Sequence, residues 1–134
     1  MGLFEWLGEG FNPGPLGRIN HRPVEMFPKV SRIGALALMI LGFVMLYFMI
    51  LGVASSDNLR FYIPLLLGYL AAAFFLTPEP DTRNLGWFGG LMNNPFRFSD
   101  NLNRYLVLFS ILLFPGKLVI FSFRVLFRLL RYNL

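Results

Sequence analysis

Cysteine is absent from the chain. That removes disulfides, iron–sulfur clusters, thiolate zinc sites and cysteine nucleophiles together, and it leaves the redox compartment without a marker. Histidine occurs once, as His21, with no second histidine or carboxylate at a metal-ligand spacing. It reads as a solvated or hydrogen-bonded loop side chain rather than a ligand. Charge is also scarce. Asp, Glu, Lys and Arg make up 14% of the residues, against about 25% in a soluble domain. The carboxylates are Glu5, Glu9, Glu25, Asp57, Glu79, Asp81 and Asp100, all outside the long apolar runs. Gly89-Gly90 has no following Lys-Ser/Thr and no preceding strand, so it is not a phosphate loop, and no serine elbow or dinucleotide fingerprint is present. Without convergent polar groups the chain is expected to be non-catalytic and free of cofactor, including haem, which inside a membrane normally takes a histidine ligand.

What the chain does have is hydrocarbon. It is 56% hydrophobic and has a mean hydropathy of +0.60, the composition of a protein dissolved in lipid. Ile33–Ala54 is a run of 22 uncharged residues, and Phe61–Leu76 is a second of 16. As helices they would measure about 33 Å and about 24 Å, against a hydrocarbon core of about 30 Å. The first matches and the second needs Leu59 or local thinning of the bilayer. Ser55–Arg60 is too short for anything but a turn, so residues 33–76 read as an antiparallel transmembrane hairpin. Pro64 falls in the first turn of the second helix, where proline is tolerated. Small residues line up as Ala35 and Gly42 on one helix and Gly68 and Ala72 on the other, which predicts a close packing seam.

The flanks are of a different kind. Residues 1–32 form an N-terminal arm rich in proline (Pro13, Pro15, Pro23, Pro28), which favours extended chain. Its first eleven residues place apolar side chains at helical spacing around Trp6, the pattern of a short interfacial anchor. The apolar run begins too late and is too long for a signal peptide, and Trp6 stands where a myristoylation signal needs Ser or Thr. Residues 77–100 form an aromatic, glycine-rich loop whose Trp87 and Phe88 suit a head-group layer or a partner subunit. Ser99 or Asp100 can cap the last segment, 101–134. Pro115-Gly116-Lys117 interrupts its apolar run. This predicts an interfacial or re-entrant pair of amphipathic helices meeting there, because a crossing would place Lys117 near the bilayer centre at a cost of about 2.5–3.5 kcal/mol. Arg124, Arg128 and Arg131 recur at a spacing of four then three, a basic stripe for anionic lipid.

The fold expected is therefore an all-α integral membrane protein. The net charge of +5 sits next to the spans and matches lipid head groups better than nucleic acid, for which no motif is present. Four basic residues precede the first run, one (Arg60) lies in the turn and seven follow the second run. The positive-inside rule then puts both termini on the cytoplasmic side of an inner or plasma membrane. Two helices cannot hide this much apolar surface, so the expected role is a small structural or accessory subunit of a larger membrane complex. Its partners would be other integral membrane subunits, copies of itself and anionic lipids. A homo-oligomeric channel or pore and a membrane-shaping hairpin are the alternatives.

Overall fold

The computed structural model describes residues 3–11, 14–21, 30–83, 85 and 98–132. Its elements are α1 (Leu3–Phe11), β1 (Arg18–Asn20), α2 (Arg32–Ala54), α3 (Leu59–Phe75), β2 (Thr77–Glu79) and α4 (Phe98–Tyr132). Helix accounts for 78% of the described residues, as the apolar runs demand. The chain clusters into two compact units, Met1–His21 with Thr77–Leu112, and Arg22–Leu76 with Leu113–Leu134.

The first unit holds the two strands, which the all-α expectation did not contain. They pair antiparallel with Arg18 opposite Glu79, Ile19 opposite Pro78 and Asn20 opposite Thr77. Pro78 is tolerated because a two-stranded ladder has only edges. Gly17 precedes the ladder at a close approach: a Cβ there would lie 2.7 Å from Pro80 Cα and 2.8 Å from Leu106 Cδ1. Only a residue without a side chain lets the arm run this close to α4.

In the second unit α2 starts one residue earlier than the apolar run, because Ser31 caps it: Ser31 Oγ accepts from the Gly34 amide at 3.1 Å. It ends at Ser55 and Ser56, whose hydroxyls donate to the carbonyls of Gly52 (3.1 Å) and Val53 (2.6 Å). α3 begins at Leu59, two residues before the apolar run, and this earlier start puts Pro64 inside the helix rather than in its first turn.

The largest departure is α4. The expected break at Pro115-Gly116 does not occur, and one helix of 35 residues runs through it. Proline removes an amide donor and crowds the carbonyl one turn back, which ends a helix in water. Here a neighbouring helix supplies a partner at the weak point: Tyr69 Oη accepts a hydrogen bond from the Gly116 amide at 3.0 Å. Such outside partners let helices inside membranes continue through proline.

Candidate functional site

The apolar faces come first, since they dominate the surface. α2 has a mean hydropathy of 2.6 over its most apolar window, of which only 6% is buried; α4 has 2.2, with 33% buried. The core helix of a soluble protein is equally apolar but mostly buried. On α2 and α3 the side chains of Ile33, Ile40, Phe48, Phe61 and Leu67 are exposed, as are Leu108, Ile111 and Leu112 on α4.

α2 and α3 are in contact, while the tightest approaches at glycine involve α4. Gly42 is buried, but it faces α4: a Cβ there would collide with Ser122 Oγ and stand 2.6 Å from the Leu118 carbonyl oxygen. Nothing lies within 4 Å of a Cβ on Gly68. Ala35 and Ala72 are half-buried. The second close approach is between α3 and α4, where a Cβ on Gly116 would lie 2.7 Å from Ala73 Cβ and 2.9 Å from Tyr69 Cε1. The sequence reading did not bring in α4 as a further helix packing on these small residues. An edge-to-face pair, Phe43 with Phe123 at 5.4 Å, supports the α2–α4 contact.

The roles of Asn103, Ser110 and Glu9 at α4 went unnoticed in the sequence. Ser99, Asn103, Ser110 and Lys117 are spaced by four, seven and seven, which a helix sets along one side. Glu9 from α1 reaches the start of α4: its Oε2 accepts from both the amide and the hydroxyl of Ser99 at 3.0 Å, and its Oε1 accepts from Gly14 N at 3.0 Å. The capping acceptor is therefore Glu9, and Ser99 and Asp100 lie inside the first turn. Burial works against the charged form of Glu9, but the hydrogen bonds from Ser99, Gly14 and Phe98 outweigh it and hold the carboxyl below its ordinary value. A negative charge at a helix N-terminus is favourable in its own right. One turn on, Asn103 is fully buried. Its Oδ1 accepts from Gly17 N at 2.7 Å and Asp81 N at 3.3 Å, and its Nδ2 donates to the Pro15 carbonyl at 2.9 Å. Ser110 Oγ donates to the Pro78 carbonyl at 3.3 Å and to Leu106 at 2.9 Å.

Of the basic stripe, Arg124 lies 5.5 Å from the centre of the Phe74 ring, a cation–π contact. Arg128 and Arg131 are exposed. Trp6 belongs to α1, its side chain outside the described set, and Trp87 and Phe88 are outside the described residues. Beside the ladder an open groove of about 540 Å³ is lined by Leu16, Ile19, Leu102, Tyr105, Leu106 and Phe109. Its one charged group, Arg18, is paired with Glu79 at 3.2 Å. No group of three or more metal-ligating side chains occurs among the described residues.

This is a mostly helical chain with two helices, α2 and α4, long and apolar enough to cross a membrane, and a shorter apolar helix, α3. No protein-family model, curated protein or solved structure matches it.

Proposed function

We propose that the chain is a non-catalytic structural or accessory subunit of a larger assembly in an inner or plasma membrane. One observation carries the reading: the apolar windows of α2 and α4 are only 6% and 33% buried. A soluble domain rarely exposes a contiguous apolar patch beyond a few hundred Å². Lipid covers part of such a surface, and other integral subunits cover the rest. Anionic lipid is a fitting neighbour for the exposed Arg128 and Arg131.

The continuity of α4 through Pro115 and its contact with Gly42, the eleventh residue of α2's 23, support a third crossing in place of an interfacial helix pair. A helix lying in the interface would meet α2 near an end. With three crossings the side of the N-terminus holds seven basic residues (Arg18, Arg22, Lys29, Arg32, Arg83, Arg97, Arg104) and the other side four (Arg60, Arg124, Arg128, Arg131). The N-terminus then stays cytoplasmic by the positive-inside rule. The C-terminus moves to the opposite face.

Native mass analysis after extraction in mild detergent tests the role. The expected result is a particle well above the chain's 15.4 kDa that contains other polypeptides. A monodisperse monomer overturns the reading, and a particle of this chain alone that conducts ions in liposomes replaces it with a channel.

A further inference from the structure

Lys117 is the only charged residue between Tyr105 and Phe123. It is 6% exposed, flanked by Leu118 and Val119 at 1% each. Leu118 packs on Gly42, in the middle of α2, so Lys117 lies at the mid-height of that helix. Ser99, Asn103 and Ser110, on the same side of α4, each hydrogen-bond to the arm or to β2. The Lys117 side chain has no hydrogen bond or ion pair among the described residues. It is almost wholly packed away, with a small part of the residue left open. An ionisable group at such depth pairs with another or faces a polar cavity.

Among the described residues the chain's own acids do not serve. Glu9, Glu79 and Asp81 are engaged by Ser99, Arg18 and Arg83. Asp100 is seventeen residues back along α4, about 25 Å away. Asp57 lies in the turn, fifteen residues beyond Gly42, about 22 Å along the axis. A second copy of the chain brings no new acid, because α2, α3 and the 105–123 stretch contain none. Lipid phosphates lie outside a hydrocarbon core of about 30 Å, beyond the reach of a lysine near its middle.

We infer that Lys117 is the docking point for a different polypeptide, a transmembrane helix carrying an Asp or Glu at mid-membrane depth. The inference rests on the accessory-subunit reading and names its partner chemistry. The pair sets register as well as affinity: a helix displaced by one turn leaves both charges in hydrocarbon.

The test uses the complex extracted in mild detergent and treated with dicyclohexylcarbodiimide, an apolar reagent that activates carboxyl groups within membranes. A lysine amine touching an activated carboxyl forms an amide, and the reagent leaves as its urea. The expected product is a Lys117 peptide joined to an acidic transmembrane peptide of another chain, identified by mass spectrometry. Lys117→Arg keeps the complex but gives no cross-link. Lys117→Met leaves the partner's acid alone, and recovery of that partner falls at least about tenfold. Changing the partner's cross-linked acid to Asn gives the same loss. A heteromeric wild-type particle with no Lys117 link, a link to an acid of this chain within one copy or between copies, or unchanged partner recovery in Lys117→Met overturns the inference and leaves the subunit reading standing. A wild-type particle without other chains overturns both.

Discussion

The Tyr69 phenol accepts a hydrogen bond from the Gly116 amide at 3.0 Å, one residue past the proline of α4. The contact joins α3 to α4 where α4 is weakest, and it supports the helix through a helix-breaking pair. Tyr69→Phe keeps the ring against Gly116 and removes only the acceptor. The expected cost is about 1–3 kcal/mol, that of leaving a buried amide without its partner, read as a lowered Tm in detergent. Pro115→Ala restores the donor and the space that proline took away. In that background Tyr69→Phe is expected to cost less than about 0.5 kcal/mol, and a double-mutant cycle measures the difference. Equal costs in both backgrounds would detach Tyr69 from the proline.

That pair also marks where the sequence stopped being informative. The two apolar runs were legible because lipid imposes a length and a composition on any helix that crosses it. Both expected runs became helices, within two residues at either end. Pro115-Gly116 was legible as a local signal and misleading as a global one. Local chemistry says break, and the partner that overrules it is Tyr69, 47 positions away. The neighbour of Gly42 was hidden for a related reason: small residues declare that something packs closely but not what. Gly42 is used by Ser122 and Leu118, while Gly68 has nothing near it. Glu9 and Asn103 were hidden because a capping or bridging role depends on which segments the fold brings together. The one signal that could have found Asn103 was the spacing of Ser99, Asn103, Ser110 and Lys117 along an otherwise apolar helix.

Gly42 and Gly68, two of the hairpin's glycines, are expected to behave in opposite ways. Gly42→Ala drives a methyl group against the Leu118 backbone, 2.6 Å from its carbonyl oxygen and 3.0 Å from its carbonyl carbon. Backbone cannot rotate aside, so α4 must move off α2, at a cost of about 1–3 kcal/mol. Gly68→Ala meets open space and gains helix propensity, so it is neutral or stabilising by up to about 1 kcal/mol. Thermal unfolding of the two variants side by side separates these outcomes. A destabilised Gly68→Ala would restore the α2–α3 seam.

Glu9 gives the first turn of α4 a pH dependence. Its carboxyl titrates below the ordinary glutamate value of 4.5: burial opposes the charge, and the bonds from Ser99, Gly14 and Phe98 prevail. A depressed carboxyl stabilises the fold above its unfolded value and loses that contribution as pH falls through the folded one. Protection of the Ser99 and Gly14 amides against hydrogen exchange is therefore expected to hold steady above pH 4.5 and to fall below it. Glu9→Gln should be less protected at neutral pH and flat across the same range. A wild-type profile that parallels Glu9→Gln would remove Glu9 as the cap.

The number of crossings decides which faces of α4 meet lipid, and the missing cysteines make it measurable, because each introduced thiol is the only one in the chain. Thr82 follows α3 on the side where the hairpin returns, and Ser56 lies in the turn between α2 and α3. Thr82→Cys and Ser56→Cys thus mark the two sides of the membrane. Asn133→Cys reports on the end of α4. With three crossings it reacts with a membrane-impermeant maleimide from the same side as Ser56→Cys; with an interfacial tail it reacts with Thr82→Cys. The contact of Leu118 with Gly42 argues for the first outcome. About ten residues past mid-membrane bring a helix to the far surface at 1.5 Å each, and α4 continues fourteen residues beyond Leu118 to Tyr132. Labelling from the Thr82 side would mean that α4 turns back before that surface. It would put Arg124, Arg128 and Arg131 with the other basic residues, and Lys117 would then lie at the tip of a re-entrant segment, open to water as well as to a partner helix.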